Sequence, residues 1–324
     1  MKTVRWGIIG CGDVCEVKSG PAFYKCKNSY LVAVMRRNTE KAADFAKRHH
    51  VLCYYTNVDH IINDPNIDIV YIATPPQSHA ELTIKALQAG KAVYVEKPMG
   101  INYNECLQMN QAAKDYNQKL WVAYYRRSLP YFLKIKELLE TNQIGKVQVV
   151  KNSFFREPLP CDINEGWDTW RTNKQIAGGG YFYDMASHTI DILMFLLGNI
   201  TKANGITNNL GGLYEVEDTV SASFLFESGA IGSSVWCYVS SKEAVKDEIE
   251  IIGETGSIRF STFDFTDIEL DTRYKTEKFS FSRPAHIQQH MIQSIVDEML
   301  GFGKCPSTGE TGAQTNRVID QIFC

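Results

Sequence analysis

Between residues 4 and 124 short apolar runs alternate with amphipathic stretches, and this alternation restricts the possible folds more than any other feature of the chain. Six runs have the length and composition of strands: VRWGIIG, YLVAVMR, VLCYY, IDIVYIA, KAVYVE and KLWVAYY. Between them lie segments such as TEKAADFAKRHH and SHAELTIKALQAG, with apolar residues at helical spacing. Strands joined through helices pair in parallel, because each connection crosses back over the sheet before the next strand begins. Right-handed crossovers then give a doubly wound α/β sheet, with ligands received at the carboxyl ends of its strands.

After about residue 125 the pattern changes. A helical stretch, LPYFLKIKELLE, leads into alternating segments that include KVQVVKNSFF, DTVSASFLF, AIGSSVWCYV, DEIEIIG and GSIRF. Helical periodicity returns over residues 181–197 and 286–300. This half reads as an α+β domain with a mainly antiparallel open sheet and helices on one face. At 324 residues the chain exceeds one ordinary core, so the expectation is a nucleotide-binding domain over 1–124 and a substrate domain over 125–324.

Composition removes several classes of function. Thirty-four basic and 37 acidic residues give a net charge of −3 without a block of one sign, which argues against nucleic acid as a partner. The longest apolar stretches, such as IDIVYIA and ILMFLLG, fall well short of the roughly 20 residues a membrane span needs. The amino terminus MKTVRWGIIGCG runs into a glycine turn and not a small-residue cleavage site, so a cytoplasmic protein is expected. Nine scattered cysteines without a C-x-x-C pair fit reduced thiols better than a zinc site or a disulfide framework.

Gly10-Cys11-Gly12-Asp13-Val14-Cys15 follows the first strand and opens a helix, close to the dinucleotide fingerprint G-x-G-x-x-G/A of a Rossmann domain. Gly10 permits the tight turn, Gly12 lets backbone approach a pyrophosphate, and Cys15 stands where the third small residue packs helix on strand. Cys11, at a helix start, is a candidate for a lowered thiol pKa. The second strand ends in Met35-Arg36-Arg37-Asn38, where an NAD-binding protein places an acidic residue. Arg36 and Arg37 either hold the 2′-phosphate of NADP or are solvated surface charges; NADP is the expected cofactor and NAD the alternative.

Three more motifs occur in order: ATPPQSH (73–79) after the fourth strand, Glu96-Lys97-Pro98 after the fifth, and GGGYFYDMASH (178–188) in the second half. Thr74, Pro75, Pro76, Glu96 and Lys97 therefore sit at strand ends that face the crevice, and Pro98 keeps Lys97 extended. Asp184 and His188, four apart on a predicted helix, share one face. Gly178–Gly180 either let that helix approach a ligand closely or form a flexible connector. With the glycine turn, these motifs resemble the glucose-fructose oxidoreductase, inositol dehydrogenase and MocA-type family over nearly the whole chain, as do AYYRR (123–127) and WRTNKQIAGGG (170–180). The resemblance implies a catalytic Lys97 with Asp184 and His188, a His79 in the cofactor-binding set, an Arg127 at the substrate, and a homo-oligomer, dimer or tetramer.

The chemistry so implied is reversible oxidation of a secondary alcohol on a sugar or polyol. A histidine, with an unperturbed pKa of about 6.5, acts as general base near neutrality while a lysine stabilises the developing alkoxide. Asp184 orients His188 or accepts a bond from a substrate hydroxyl, and the hydride chemistry calls for no metal. Trp167, Trp170 and Arg171 are candidates to wall a sugar pocket, or are core and cap residues. His286 and His290 have metal-ligand spacing without a third ligand, and His49 and His50 close a helix where positive charge is favoured. Two other readings stay open: a glycosidase or lyase that retains its cofactor, and a non-catalytic cofactor-sensing protein.

Overall fold

The computed structural model describes residues 3–163 and 170–324. They form two compact units, one of Met1–Leu129 with Pro284–Ala313, the other of Pro130–Arg283 with Gln314–Cys324.

The first unit is built on strands β1 (Val4–Ile9), β2 (Ser29–Met35), β3 (Cys53–Tyr55), β4 (Ile69–Ile72), β5 (Ala92–Val95) and β6 (Leu120–Val122). All pair in parallel, in the order β3-β2-β1-β4-β5-β6. The order reverses between β1 and β4, and a ligand crevice opens at such a reversal. The two faces of the sheet are packed differently. Ile9, Val70, Ile72, Val93 and Val95 point into an aliphatic core with Leu87, Met99 and Met109. Trp6, Tyr71 and Tyr94 point the other way, into an aromatic stack with Phe23, whose ring centroids lie 4.7 Å from Trp6 and 5.2 Å from Tyr71.

Residues 284–313 belong to this unit, although a division of the chain at 124/125 assigns them to the second domain. Helix Gln289–Leu300 packs on the aromatic face through Met291, Ile292, Ile295 and Val296, all buried. The segment behind it covers the edge of β6, where Val122 N–H donates to Ser307 O (3.3 Å) and Ser307 Oγ to Val122 O (2.8 Å). An uncovered edge strand is an aggregation liability, which accounts for the return of the chain.

The second unit carries β7 (Val147–Phe155), β8 (Ile200–Asn208), β9 (Thr219–Phe226), β10 (Ile231–Cys237), β11 (Lys246–Gly253), β12 (Gly256–Phe260), β13 (Ile268–Thr272) and β14 (Thr276–Phe279). Their order is β14-β13-β12-β11-β7-β10-β9-β8, antiparallel throughout except for the parallel pair β7–β10. Alternation follows the sequence: in β9 Val220, Ala222, Phe224 and Phe226 are buried while Ser221, Ser223 and Leu225 are exposed. Helices Pro130–Glu140 and Ser187–Leu197 pack together within this unit, and the latter is buried along most of its length. β8, β13 and β14 carry too many polar residues to stand out by periodicity.

Candidate active site

The glycine turn lies at the carboxyl end of β1. Gly10 has φ +86°, and a Cβ there would come within 2.8 Å of Thr74 Cγ2 and 3.0 Å of the Ala73 carbonyl. Gly10 N–H donates to Met35 O (2.9 Å) and Gly12 N–H to Gly10 O (2.7 Å), which ties the turn to β2 and closes it on itself. Asp13–Val17 is a short helix with Asp13 exposed and Val14 partly so. Arg36 reaches back over the turn, donating from Nη1 to Cys11 O at 3.2 Å, while Arg37 is exposed. The sulfur of Cys11 is buried, and burial pushes its thiol up to about 11, the reverse of the activation expected at a helix start. Desolvation outweighs the nearby Arg36 charge.

At the ends of β4 and β5, two expected cofactor ligands turn inward instead. His79 is fully buried, with Nδ1 3.0 Å from Pro98 O and Nε2 2.8 Å from Thr74 O. Its side chain joins the loop after β4 to the loop after β5, and burial holds its pKa below the usual histidine value. Thr74 Oγ1 accepts from Ser78 Oγ (2.7 Å), while Pro75 and Pro76 lead into the turn Pro76–Ser78, so the ATPPQSH segment is braced from within. Glu96 is equally committed. Its buried Oε1 accepts from Tyr71 O–H (2.5 Å) and Gln288 Nε2 (2.6 Å), and its Oε2 accepts from Lys97 N–H at 3.2 Å. Gln288 in turn accepts from Tyr94 O–H through Oε1 (2.8 Å). Lys97, partly exposed and joined to Pro98 by a cis peptide, thus stands on a backbone gripped by Glu96 on one side and His79 on the other.

In the second unit the regular helical pitch predicted across Asp184 and His188 is broken. Phe182–Ala186 is a π-helical turn containing Asp184, and the α-helix Ser187–Leu197 begins one residue before His188. Asp184 Oδ2 accepts from Arg171 Nε at 3.1 Å, and the Arg171 guanidinium stacks 4.5 Å over the Trp170 ring. His188 is buried, its ring 6.0 Å from Phe263. Single π-turns in helices frequently mark functional positions, since they re-aim side chains. Trp167 lies outside the described residues. Arg127, in the first unit, is buried and donates from Nη1 to Pro306 O at 3.0 Å.

One histidine of each remaining pair is held by the fold, and the others, His50 and His290, are exposed. His286 Nδ1 faces Val17 O at 2.8 Å and its Nε2 faces Lys25 Nζ at 2.6 Å. His49 stacks on Phe45 and contacts Glu16, whose carboxyl Arg48 and, less strongly, His49 hold down at about 2. Among the described residues no group of three or more His, Cys, Asp or Glu is placed to hold a metal, and no helix is long and apolar enough to cross a membrane.

Residues 4–124 match the model of an oxidoreductase family with an NAD-binding Rossmann fold, and residues 132–259 match the Gfo/Idh/MocA C-terminal domain. The chain belongs to the Gfo/Idh/MocA oxidoreductase family. It is 42% identical to oxidoreductase P35 of Formosa agariphila over 99% of this chain and 98% of that protein. It is 30% identical to levoglucosan dehydrogenase of Pseudarthrobacter phenanthrenivorans, over 94% of this chain and 86% of that one. A solved levoglucosan dehydrogenase in complex with NADH and levoglucosan superposes with a TM-score of 0.86 at 25% identity, covering 99% of this chain and 96% of that one. The family member described here is accordingly a nicotinamide-dependent dehydrogenase or reductase.

The residues at β1 fit such a cofactor. Among the described residues a Cβ placed on Gly12 would meet nothing nearer than Gly10 O at 3.9 Å, so the hollow above the turn is open where a pyrophosphate lies against backbone. What sequence reasoning missed in this oxidoreductase is Gln288. It sits some 190 residues from Glu96 in the chain, in a segment assigned to the other domain, and no motif marks it; Tyr71 and Tyr94, inside apolar strand runs, read as core.

Proposed function

We propose that this oxidoreductase moves a hydride between NADP(H) and a secondary alcohol or carbonyl carbon of a sugar, polyol or related compound. The observation that carries the reading is the build of the Lys97 loop. A solvated lysine after a strand needs no buried glutamate on one side and no buried histidine on the other, whereas a lysine that must hold its ammonium at a reacting oxygen does. In this reading Lys97 stabilises the developing alkoxide, His188 accepts the hydroxyl proton, and Asp184 orients His188 or binds a substrate hydroxyl, exchanging its Arg171 partner for it. The nicotinamide, when bound, supplies the hydride acceptor or donor. Gly10, Cys11, Gly12, Asp13 and Val14 form the phosphate turn, Thr74–Pro76 border it, and His79 and Glu96 hold those loops in place. Arg171 belongs to the substrate side through Asp184, and Arg127 ties the return segment down.

NADP is favoured over NAD because the end of β2 offers guanidinium groups and no carboxylate, and Arg36 is already anchored at the turn. NADPH should bind about tenfold or more tightly than NADH; the opposite order in a fluorescence titration refutes the assignment. The exposed face of the second sheet, with Val149, Leu225, Ile231 and Val235, is proposed as the contact of a homo-oligomer, checked by light scattering on the eluted protein. The decisive experiment is a screen of sugars and polyols with both cofactors, following reduced nicotinamide by absorbance. Lys97→Ala and His188→Ala should each lower kcat by about 10²–10⁴-fold. Failure to turn over any member with either cofactor, or full activity in Lys97→Ala, removes the reading.

A further inference from the structure

We infer that the second unit holds a carboxylate-recognising subsite built on Arg156, and, resting on the activity proposed above, that the substrate is an acidic sugar such as a uronate. β7 and β10 run parallel and end together, and the chain beyond each stays paired: Arg156 N–H donates to Cys237 O (3.0 Å) and Ser240 N–H to Arg156 O (3.0 Å). Arg156 and Tyr238 therefore emerge side by side. The guanidinium carbon lies 4.2 Å from the Tyr181 ring centroid and 5.3 Å from that of Tyr238, so the cation is held between two aromatic faces.

The donors of this guanidinium are only partly used. Nη1 makes a long bond to Glu157 O at 3.4 Å, while Nε and Nη2 are buried and meet no acceptor among the described residues. Those two nitrogens carry the parallel N–H pair along one edge of the group, the fork that accepts both oxygens of one carboxylate. The buried hydroxyl of Tyr238 and that of Tyr214, whose ring lies 5.7 Å from Tyr181, also lack partners among the described residues. Burial raises both phenols above their ordinary range, which keeps them as neutral donors. Three acids near the box are engaged elsewhere: Asp162 accepts from Tyr181 O–H (2.5 Å) and Leu159 N–H (2.8 Å), Asp184 from Arg171, and Asp218, the acid acting most on Tyr214, from the Leu210 and Gly211 N–H groups and Thr219 O–H.

An arginine kept for packing alone would be expected to turn its fork to bulk solvent or to a carbonyl; this fork is closed off from bulk solvent and meets no carbonyl among the described residues. A sugar hydroxyl offers one oxygen to the fork, whereas a carboxylate offers two in the matching plane, with no proton of its own to place. The box also adjoins the proposed catalytic pair within the same unit. Tyr181 opens the turn that carries Asp184, and Phe154 packs on both Tyr238 (5.8 Å) and Phe263 (5.0 Å), the latter lying against His188. Because the fork is shut off from bulk water, seating a ligand moves a side chain of the box, and Tyr214, half-buried with an unpartnered hydroxyl, is the one least held.

The test is calorimetric titration of the NADPH-loaded enzyme with D-glucuronate, its methyl ester, D-glucose and glucose 6-phosphate. Glucuronate should bind about tenfold or more tightly than the ester and glucose. Arg156→Gln should erase that preference, and Arg156→Lys, which keeps the charge without the fork, should retain part of it. Tyr214→Phe, a milder change, should weaken glucuronate about threefold or more if Arg156→Gln does not fold. Equal binding of acid and ester, a preference that survives Arg156→Gln, or stronger binding of the phosphate ester overturns the proposal. Since binding is read without turnover, a carboxylate preference in an enzyme that oxidises nothing would sink the activity and leave the subsite standing. Turnover of neutral sugars without the preference would do the reverse.

Discussion

A methyl group added at Gly12 should weaken this enzyme's hold on its cofactor and leave its stability intact, while the same change at Gly10 should cost stability. Gly10 has φ +86°, and an added Cβ meets Thr74 Cγ2 at 2.8 Å and the Ala73 carbonyl at 3.0 Å. The left-handed backbone costs an L residue roughly 1–2 kcal/mol, and overpacking against backbone adds about 1–3 kcal/mol. Gly10→Ala should therefore lose roughly 2–5 kcal/mol, a fall in Tm of roughly 5–15 °C. Gly12 has φ −104° and ψ −159°, extended backbone open to any residue, with no described atom nearer than 3.9 Å to its added Cβ. There alanine restricts the unfolded chain and should stabilise by about 0.4–1 kcal/mol. The methyl nevertheless occupies space the pyrophosphate needs. An overpacking cost of about 1–3 kcal/mol, now levied on binding, weakens NADPH by roughly 5–150-fold. The assay is thermal unfolding with and without NADPH beside a fluorescence titration. At a concentration a hundredfold above the wild-type Kd the cofactor stabilises by about 2.7 kcal/mol, and a tenfold weaker Gly12→Ala keeps only about 1.4 kcal/mol. A Gly12→Ala that binds NADPH within threefold of wild type, or that melts early without it, refutes the placement of the cofactor over this turn.

The buried clamps give further expectations. Gln288→Leu leaves Tyr94 without its acceptor and Glu96 without one of its three donors, so stability should fall by about 1–3 kcal/mol, and kcat should fall while NADPH affinity holds, read by melting and steady-state kinetics. His79 has a folded pKa below its unfolded value because burial penalises the imidazolium. Its contribution is therefore present above an unfolded pKa of about 6.5 and is lost as pH falls below it; the stability gap between wild type and His79→Gln, measured in urea, should narrow toward acid pH. Alkylation of the native protein near pH 8, mapped by peptide mass, should label the exposed Cys53 and Cys324 first, and spare Cys11, pushed up to about 11, and Cys26, pushed up to about 12. Early labelling of Cys11 would mean that the turn is open to solvent.

The six parallel strands were legible because each is a short run rich in apolar residues, and the central ones, buried on both faces, are nearly continuous; only the edge strand β3 is exposed. The second sheet was legible where one face is buried and alternation is clean, as in β9, and illegible in β8, where TKANGITN alternates small and polar residues at an edge. The membership of residues 284–313 in the first unit could not be read either. Helical periodicity says that 289–300 is an amphipathic helix, but not which apolar surface it covers. The glycine run at 178–180 left two alternatives open, a close approach to a ligand or a loose connector. The structure presses Gly179 under the Tyr183 ring, where a Cβ would lie 2.3 Å from it, so the approach is close but its partner is protein.

The motif residues show most sharply what a pattern transmits and what it withholds. ATPPQSH and Glu96-Lys97-Pro98 were read as one crevice-facing set, since strand ends point there. Within each motif, however, the polar residues divide by direction. Thr74 and Lys97 stay at the surface of their loops, whereas His79 and Glu96 turn back beneath them, one against two carbonyl oxygens and the other against a phenol, an amide and a backbone N–H. A motif records that residues occur together; it does not record whether a residue meets the ligand or holds the one that does. The distinction can be measured, because a group touching the reacting atoms should alter the pH dependence of kcat when replaced. Glu96→Gln, which keeps the size and the acceptor for Tyr71 but loses the charge, should lower kcat modestly and leave the profile where it was. A profile displaced in Glu96→Gln would mean that this carboxylate senses the reacting centre, and would return it to the set from which its buried bonds remove it.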